Sequence, residues 1–496
     1  MKFRAAVALC AVLAAPSLGL LIFSQTVAWY PDEGFHLVAA QLINAGKRPY
    51  VDFFYQHPPL FAYITAGWMR LFGDSWRSAH LLSTMLAVAS IVLVTRFVAT
   101  RVRDPRWRLA TASCPPLFIG FHLLVIRFGT IGQPYGLCLF LVVASFCVVI
   151  EAVHRERALL SAGGGLCAGA AAASSLLAAP ASPLLLLWIF RHNQAGNRLG
   201  KAIGFVAGAT IPFLPLLWLA AQAPRYVLFD VVEFHAFYRA TQLDALSLTF
   251  HNLRVLTAWL SSAQALVLVL LSVIGLLLLI NRYELDHRCR AEFSLCAWLT
   301  IGLGMFSVVA SPMFPQYFLL LIPFLGILAS LGVYAIGSRI GATGRPAWVV
   351  LGLVALFAAG LMKSAYAERK LWVPFWPGVV EVAREINRVT PRNGTLYAPH
   401  ESVYFATRRL PPPGLENLHA VEAQLPPGLA ATRRIAPQSR VDEWLASGRF
   451  DTIVIGVDDP RLSWLGLPRL YGANERLGDW YLFWGRRPPV ESSQET

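Results

Sequence analysis

Two adjacent carboxylates stand where the first apolar stretch gives way to a polar loop. Asp32 and Glu33 follow that stretch directly, beside the aromatic residues Trp29 and Tyr30. A carboxylate in this place can take a proton from a hydroxyl nucleophile as a general base, or it can bind a divalent metal ion such as Mg²⁺ or Mn²⁺. Acids at the end of a membrane helix are often merely solvated, so the functional interpretation depends on the residues around the pair.

Basic and imidazole side chains follow in the same loop, and such groups can hold a phosphate. The candidates are Lys47, Arg48 and His57, with Arg127 in a later turn. A neutral histidine donates a hydrogen bond but has no fixed charge at pH 7. Between the acids and these groups, residues 34–45 are predicted to form a helix along the membrane surface.

The composition places this loop in a membrane protein. Apolar residues make up 56% of the 496 residues and charged residues only 14%, whereas soluble chains carry about 25% charge. The net charge is +14, but the basic residues are spread over many short loops, which excludes a nucleic-acid-binding face. Seven cysteines lie in or beside apolar runs without metal-ligand spacing, so no disulfide framework is predicted.

Apolar runs of roughly 17 to 23 residues alternate with short charged loops, which is typical of helices that cross a hydrocarbon core of about 30 Å. About eleven transmembrane helices are predicted. The first follows Lys2 and Arg4, and a cleavable signal peptide is the alternative for this run. Segment 159–190 is long for one helix and short for two, and its glycines and prolines fit two short helices or a bent hairpin. The other runs lie at 80–99, 109–126, 134–152, 202–221, 263–281, 294–310, 315–337 and 347–365.

The distribution of positive charge predicts the orientation. One set of alternate loops carries most of the arginine and lysine, and the opposite set is longer and nearly neutral. By the positive-inside rule the N-terminus is cytoplasmic, and an odd number of spans leaves the C-terminal residues outside. We therefore predict a multi-pass protein of the inner membrane, with long outer loops at 28–80 and 222–262.

The residues after about 365 differ in pattern from the rest of the chain. They predict a small extracytoplasmic α/β domain at 366–496, behind a transmembrane domain at 1–365. No phosphate-binding glycine loop is present, because Gly163-Gly164-Gly165 lies in a membrane segment. The predicted elements are an amphipathic helix near 378–390, a helix at about 440–447, and strands at Thr395–Ala398, Thr452–Val457 and Trp480–Trp484.

The segment from Pro31 to Gly73 resembles the first outer loop of the GT-C glycosyltransferases. It is similar in particular to the bacterial members of family 39, relatives of protein O-mannosyltransferases, of the lipid A aminoarabinose transferase and of lipopolysaccharide-core glycosyltransferases. The shared pattern is an Asp-Glu pair, a glycine near the end of a surface helix, an aromatic stretch, Lys-Pro-Pro-Leu and Leu-Phe-Gly. The matching residues are Asp32-Glu33, Gly46, Phe53-Phe54-Tyr55, His57-Pro58-Pro59-Leu60 and Leu71-Phe72-Gly73, with a second match at Pro315-Gln316-Tyr317-Phe318 and Pro323.

The resemblance implies an all-α polytopic membrane enzyme of the GT-C type, which takes a sugar from a polyprenyl-phosphate carrier and passes it to an envelope acceptor. An acceptor hydroxyl would attack the anomeric carbon with inversion as the lipid phosphate leaves. Asp32 would be the catalytic acid group, acting as a base or through a metal ion, with Glu33 in support and Tyr317 as a substrate contact. Which sugar is moved stays open. So does the acceptor, which is a lipid, a glycan or a protein.

Two positions depart from the family pattern. The lysine before Pro-Pro is His57 here, so Lys47, Arg48 or Arg127 would hold the phosphate in its place. Gln133 occupies the position of a carboxylate, and a glutamine can bind a sugar hydroxyl but cannot act as a base. A non-catalytic assembly scaffold therefore stays open. A transporter or flippase of envelope precursors is the other alternative, although the sequence shows no convincing repeat and most mid-membrane positions are apolar.

Overall fold

A computed structural model describes residues 3–27, 31–102, 104–192, 198–237, 245–280, 286–310, 312–339, 352, 355–357, 359 and 375–487. Helices dominate because a helix satisfies its backbone N–H and C=O groups internally, as a bilayer core requires. In the first half of the chain they are α1 (Phe3–Thr26), α2 (Gly34–Asn44), α3 (Leu60–Phe72), α4 (Trp76–Arg101), α5 (Pro105–Gly120), α6 (Leu123–Phe128), α7 (Pro134–His154), α8 (Ala158–Ala172), α9 (Ala181–His192), α10 (Arg198–Thr210), α11 (Leu214–Gln222) and α12 (Pro224–Leu228).

The second half continues with helices and ends in a small sheet. Its helices are α13 (Ala245–Leu260), α14 (Ala263–Ile280), α15 (His287–Val309), α16 (Ile322–Arg339), α17 (Phe375–Val389), α18 (Glu401–Thr407), α19 (Leu418–Glu422), α20 (Pro427–Thr432), α21 (Gln438–Ala446) and α22 (Leu467–Leu470). The strands are β1 (Leu396–Tyr397), β2 (Thr452–Gly456), β3 (Tyr471–Leu477) and β4 (Trp480–Arg486). Short 3-10 turns lie at Pro31–Glu33, Leu176–Ala178, Ile211–Phe213, Pro315–Leu321 and Pro460–Ser463, and a π-turn at Phe229–Glu233.

The apolar helices make this a multi-pass membrane protein. Among the described residues, six helices are long and apolar enough to cross a bilayer, and the pair Leu246–Leu260 and Ala263–Leu277, bent by 75°, would be a seventh span. Segment 159–190 forms two short helices, α8 and α9, which was one of the two alternatives predicted for it. Most of the predicted span 347–365 lies outside the described residues. The six helices are Ala6–Thr26, Trp76–Arg101, Pro134–His154, Arg198–Gln222, His287–Val309 and Pro315–Arg339.

The predicted span 109–126 is interrupted, and a side chain from another helix bonds to the backbone at the break. Helix α5 ends at Gly120 and α6 begins at Leu123. The Gln264 amide of α14 donates to the Phe121 carbonyl over 2.8 Å and its Oε1 accepts the Leu123 N–H at 2.9 Å. These two bonds satisfy backbone groups that the helix break leaves without their usual partners.

Glycines on α8 and α10 let these two helices pack closely. A Cβ added at Gly165 would lie 1.9 Å from the Phe205 carbonyl oxygen, and one at Gly208 would lie 2.0 Å from the Ala162 oxygen. The two backbones are therefore in contact, as in other small-residue helix pairs of membrane proteins. A Cβ at Gly163, by contrast, would meet only a Val148 methyl at 3.7 Å.

The chain forms two compact units, and the second is assembled from three separate segments. The first unit comprises Met1–Ala28, His57–Trp218 and Arg239–Leu371, and the second Trp29–Gln56, Leu219–Tyr238 and Trp372–Thr496. The sequence-based division kept both long outer loops with residues 1–365. In the structure, Trp29–Gln56 of the first loop and part of the second loop belong to the same unit as the C-terminal segment. Aromatic residues explain this, because Phe54, Phe229 and Phe234 are buried in one hydrophobic core with residues such as Leu415 and Ile453.

A mixed four-stranded sheet lies in the second unit, in the order β1-β2-β4-β3. Strands β1 and β2 are parallel, and the other two pairs are antiparallel. The predicted strands 395–398, 452–457 and 480–484 correspond to β1, β2 and β4, and the predicted helices 378–390 and 440–447 to α17 and α21. The small C-terminal α/β domain is thus present. Strand β3 was not predicted, because its exposed polar residues lack an apolar alternation.

Candidate active site

Asp32 and Glu33 lie in the second unit, in the 3-10 turn that leads into α2. Glu33 is fully buried, and Asp32 is partly exposed. The Asp32 carboxylate accepts no hydrogen bond from any described residue. Negative charge is favoured at the start of a helix, where backbone N–H groups are unpaired. Of the two acids, the partly exposed Asp32 is thus the one that a substrate can reach, whereas Glu33 is buried.

The charges around Asp32 come from its own turn and from the C-terminal segment. Burial is the main effect and raises the pKa of Asp32, His419 opposes it, and Glu401 and Glu33 raise the pKa further. Glu401 is 4% exposed, and one of its carboxylate oxygens accepts the Leu418 N–H at 2.9 Å. Two of the groups that act on Asp32 thus stand on α18 and α19, more than 360 residues further along the chain.

His419 has an acidic partner of its own. Its Nδ1 lies 3.6 Å from a carboxylate oxygen of Glu422, one helical turn on. This contact with Glu422 is the main reason that the pKa of His419 is raised. Burial, by contrast, lowers the pKa of the nearby His400. Of these two histidines, His419 is the one that the fold favours in its charged form.

The two basic candidates of the first loop differ in their surroundings. Arg48 pairs with Asp52, with 3.1 Å between Nε and Oδ2, and its Nη1 donates to Gln222 at 2.9 Å. This pairing lowers the pKa of Asp52. Lys47 is exposed. Since the Arg48 guanidinium is already engaged, Lys47 is the more accessible cation for a phosphate.

A buried polar network joins two of the three segments of the second unit. His36 Nδ1 and the Tyr55 hydroxyl are 2.8 Å apart, and the Tyr55 N–H donates to Asp230 Oδ2 over 3.2 Å. Asp230 is 1% exposed, and its Oδ1 has no hydrogen-bond partner among the described residues. Burial raises the pKa of Asp230 well above its ordinary value, while Arg434 and Arg433 oppose that effect. This carboxyl belongs to the interior of the unit.

The remaining predicted site residues belong to the first unit. His57 and Arg127 are partly buried, and Tyr317 lies in the 3-10 turn before α16. Gln133 precedes α7 and is 1% exposed, and neither atom of its side-chain amide has a hydrogen-bond partner among the described residues. A buried amide of this kind is suited to one donor and one acceptor of a ligand, such as a hydroxyl group.

The structure thus groups Asp32, Glu33, Lys47 and Arg48 in one unit, and His57, Arg127, Gln133 and Tyr317 in the other. Sequence reasoning missed Glu401 and His419, since nothing in their local pattern ties them to the first loop. Within the described residues, no group of three or more His, Cys, Asp or Glu side chains could hold a metal ion. Metal dependence of the reaction stays a prediction.

Comparison with known proteins gives matches among solved structures alone. No protein-family profile matches the chain, and no curated protein sequence matches it. ArnT from Cupriavidus metallidurans bound to undecaprenyl phosphate is similar with a TM-score of 0.66 and 15% identity, over 97% of this chain and 98% of that one. The same protein in the apo state gives a TM-score of 0.68 at 15% identity, with the same coverage.

A third similar structure comes from an archaeon. The Archaeoglobus fulgidus oligosaccharyltransferase, tethered to an acceptor peptide, matches with a TM-score of 0.50 and 12% identity, over 91% of this chain and 69% of that one. All of these proteins are GT-C glycosyltransferases. The likeness confirms the predicted fold class, a helical GT-C membrane fold with a small C-terminal sheet.

Proposed function

We propose that this chain is a membrane glycosyltransferase that moves a sugar from a polyprenyl-phosphate donor to an acceptor of the cell envelope. The observation that carries the proposal is the likeness to ArnT along nearly the whole of both chains, in a structure that holds undecaprenyl phosphate. The first-loop pattern around Asp32 supports it independently, because it was identified from sequence alone. The acceptor is a lipid, a glycan or a protein.

The reaction assigned to Asp32 is general-base catalysis. An acceptor hydroxyl attacks the anomeric carbon of the donor sugar, and its proton passes to the Asp32 carboxylate. The new oxygen–carbon bond forms as the bond to the phosphate oxygen breaks, and the polyprenyl phosphate leaves with the electron pair. Attack from the face opposite the leaving group inverts the anomeric centre. Asp32 suits the role because it is partly exposed and accepts no hydrogen bond from a described residue.

Cationic and hydrogen-bonding groups are needed for the donor phosphate. The family resemblance offers His57, Lys47, Arg48 or Arg127 as alternatives for this task, since each of these side chains neutralises or hydrogen-bonds a phosphate oxygen. Gln133 is assigned to a sugar hydroxyl, because its buried amide has no partner among the described residues. The positive-inside rule puts the N-terminus in the cytoplasm and the reaction at the outer face of the inner membrane.

Transfer assays on purified protein test the proposal directly. Wild-type, Asp32→Asn and Glu443→Gln proteins in detergent are each incubated with a panel of radiolabelled polyprenyl-phosphate sugars, and a membrane extract supplies the acceptor. We expect transfer from one donor, abolished by Asp32→Asn and unchanged by Glu443→Gln, since Glu443 is an exposed acid outside the site. Donor binding without turnover in the wild type would favour an assembly scaffold, and no binding of any donor would favour a transporter.

A further inference from the structure

One turn of the second long outer loop holds the aromatic stretch of the first. The Phe54 ring contacts the rings of Phe229 and Phe234, with centroids 6.4 and 4.9 Å away. The next residue, Tyr55, donates its N–H to Asp230 Oδ2 over 3.2 Å. All five residues are buried and belong to the second unit. The first loop is thus held here by a side chain and by its backbone.

The π-turn at Phe229–Glu233 lets one helical segment reach two consecutive residues of the first loop. After the Tyr55 contact, His235 donates its Nε2–H to the Gln56 carbonyl over 2.8 Å. In a regular α-helix, residues five apart such as Asp230 and His235 lie about 140° apart around the axis. The i→i+5 hydrogen bonds of a π-turn widen the helix and reduce that angle, and such turns are found frequently at functional sites.

A second hydrogen bond continues from Tyr55 to the helix that follows Asp32. The Tyr55 hydroxyl lies 2.8 Å from His36 Nδ1, in the first turn of α2. Asp230 is 1% exposed and His36 3% exposed, so water cannot readily replace either bond of this chain. Two buried bonds therefore lead from the second outer loop, through Tyr55, to the start of α2.

We propose that Asp230 is a positioning residue for Asp32, acting through Tyr55 and His36 on the turn that carries the Asp32 carboxylate. For its role in catalysis this inference rests on the proposed function. A general base must lie within hydrogen-bond reach of the hydroxyl whose proton it takes. A displacement of about 1 Å, caused far from the chemistry, can lower a rate by about 10²-fold. Asp230 acts by the bond that it accepts, and its charge is not required.

Substitutions that cut one bond at a time test this chain of contacts in the full-length protein. Asp230→Ala removes the acceptor of the Tyr55 N–H, and Tyr55→Phe removes only the hydroxyl. Each should lower the kcat of sugar transfer by roughly 10- to 100-fold and leave the KM for the donor nearly unchanged. Asp230→Asn keeps an oxygen for the Tyr55 N–H and should retain most of the activity. Val232→Thr, in an exposed position of the same turn, is the control and should change nothing.

Hydrogen exchange gives a second readout that does not depend on turnover. Peptides that cover residues 32–44 are followed by mass spectrometry in detergent. Exchange should be faster in Asp230→Ala and in Tyr55→Phe than in the wild type. The double variant should exchange no faster than the faster of the two, because both substitutions cut the same chain of contacts, whereas independent effects would add.

The outcomes separate this inference from the proposed function. Non-additive effects on exchange support the inference even if no donor is ever transferred, in which case the proposed function alone has failed. Unchanged exchange in the single variants, or additive effects in the double variant, overturn the inference even if transfer is active. Equal loss of kcat in Asp230→Asn and Asp230→Ala also overturns it. If Asp230→Ala does not fold, Tyr55→Phe decides alone, and wild-type kcat and exchange in that variant overturn the inference.

Discussion

Replacing Glu416 with glutamine removes a buried negative charge and keeps the shape of the side chain. Glu416 is 7% exposed in the second unit, and the Gly414 N–H donates to its Oε2 over 2.7 Å. Burial raises the pKa of Glu416 from 4.5 to about 7, although backbone N–H donors, Arg434 and Lys47 all act to lower it. The glutamine oxygen can still accept the Gly414 bond, so the charge is the main change.

The raised pKa gives stability at acid pH that is lost as the pH rises. Below pH 4.5 the carboxyl is neutral in the folded and the unfolded chain; between pH 4.5 and about 7 the folded chain keeps a proton that the unfolded chain releases. The free energy of unfolding therefore falls until the pH has passed through the folded pKa. At 1.36 kcal/mol per pKa unit, the change from 4.5 to about 7 corresponds to about 3 kcal/mol.

The change in local stability around Glu416 can be measured by hydrogen exchange. The full-length protein is kept in detergent, and exchange is detected by mass spectrometry. Peptides that cover residues 414–425 are followed at about pH 4 and about pH 8.5, below the unfolded and above the folded pKa of Glu416, with correction for the intrinsic exchange rate. The opening free energies of Glu416→Gln and wild type should nearly agree at the acid pH. At the alkaline pH the variant should be more stable by about 3 kcal/mol.

The control for this prediction is Glu443→Gln, which removes an exposed acid of the same unit and should show no such pH-dependent gain. A difference between Glu416→Gln and wild type that is the same at both pH values would refute the reasoning. A loss of stability at alkaline pH would show that attraction to Arg434 and Lys47 outweighs the burial of the charge.

Three further predictions concern the membrane helices, the donor and the orientation. Gly165→Ala should destabilise the packing of α8 on α10 by about 1–3 kcal/mol, because the added methyl would overlap the Phe205 carbonyl. The loss should appear as a lower melting temperature in detergent. The control Gly163→Ala should have little effect. His57→Ala should raise the KM for the donor more than that for the acceptor when each is varied in turn. A reporter fused after Thr496 should be active only outside the cytoplasm.

Each of these predictions has an outcome that contradicts it. Equal destabilisation by Gly165→Ala and Gly163→Ala would argue against close backbone contact at Gly165. Equal effects of His57→Ala on donor and acceptor would remove His57 from the phosphate. A cytoplasmic reporter signal would reverse the orientation inferred from the loop charges.

The sequence predicts helices well where a long apolar run fills a whole span, because hydrocarbon solvent alone dictates the conformation. Helices α4 and α7 follow their predicted runs within a few residues at each end. Prediction from the sequence fails where contacts with a distant part of the chain determine the geometry. At the interruption between α5 and α6, the His122 ring accepts the Leu124 N–H, but the backbone groups of Phe121 and Leu123 bond to Gln264, which lies 141 residues beyond Leu123.

The candidate site shows the same division. Asp32 is identifiable because a short sequence pattern surrounds it, whereas Glu401 and His419 lie in ordinary-looking segments. Their relevance arises from the pairing of α2 with α18 and α19, and single-sequence periodicity carries no information on such pairings. Arg48 was predicted as a phosphate-binding candidate, but in the structure its guanidinium forms an ion pair with Asp52. The four-residue spacing of Arg48 and Asp52 in the sequence already allows that pair.

The assembly of the second unit from three distant segments has a consequence for biosynthesis. Phe54 and Phe229 leave the ribosome long before Leu415 and Ile453, the residues with which they form one core. Through most of translation the early segments carry apolar side chains without their final neighbours, and segments in that state are natural clients of chaperones and proteases. A chain released early would therefore be recognisable as unfinished.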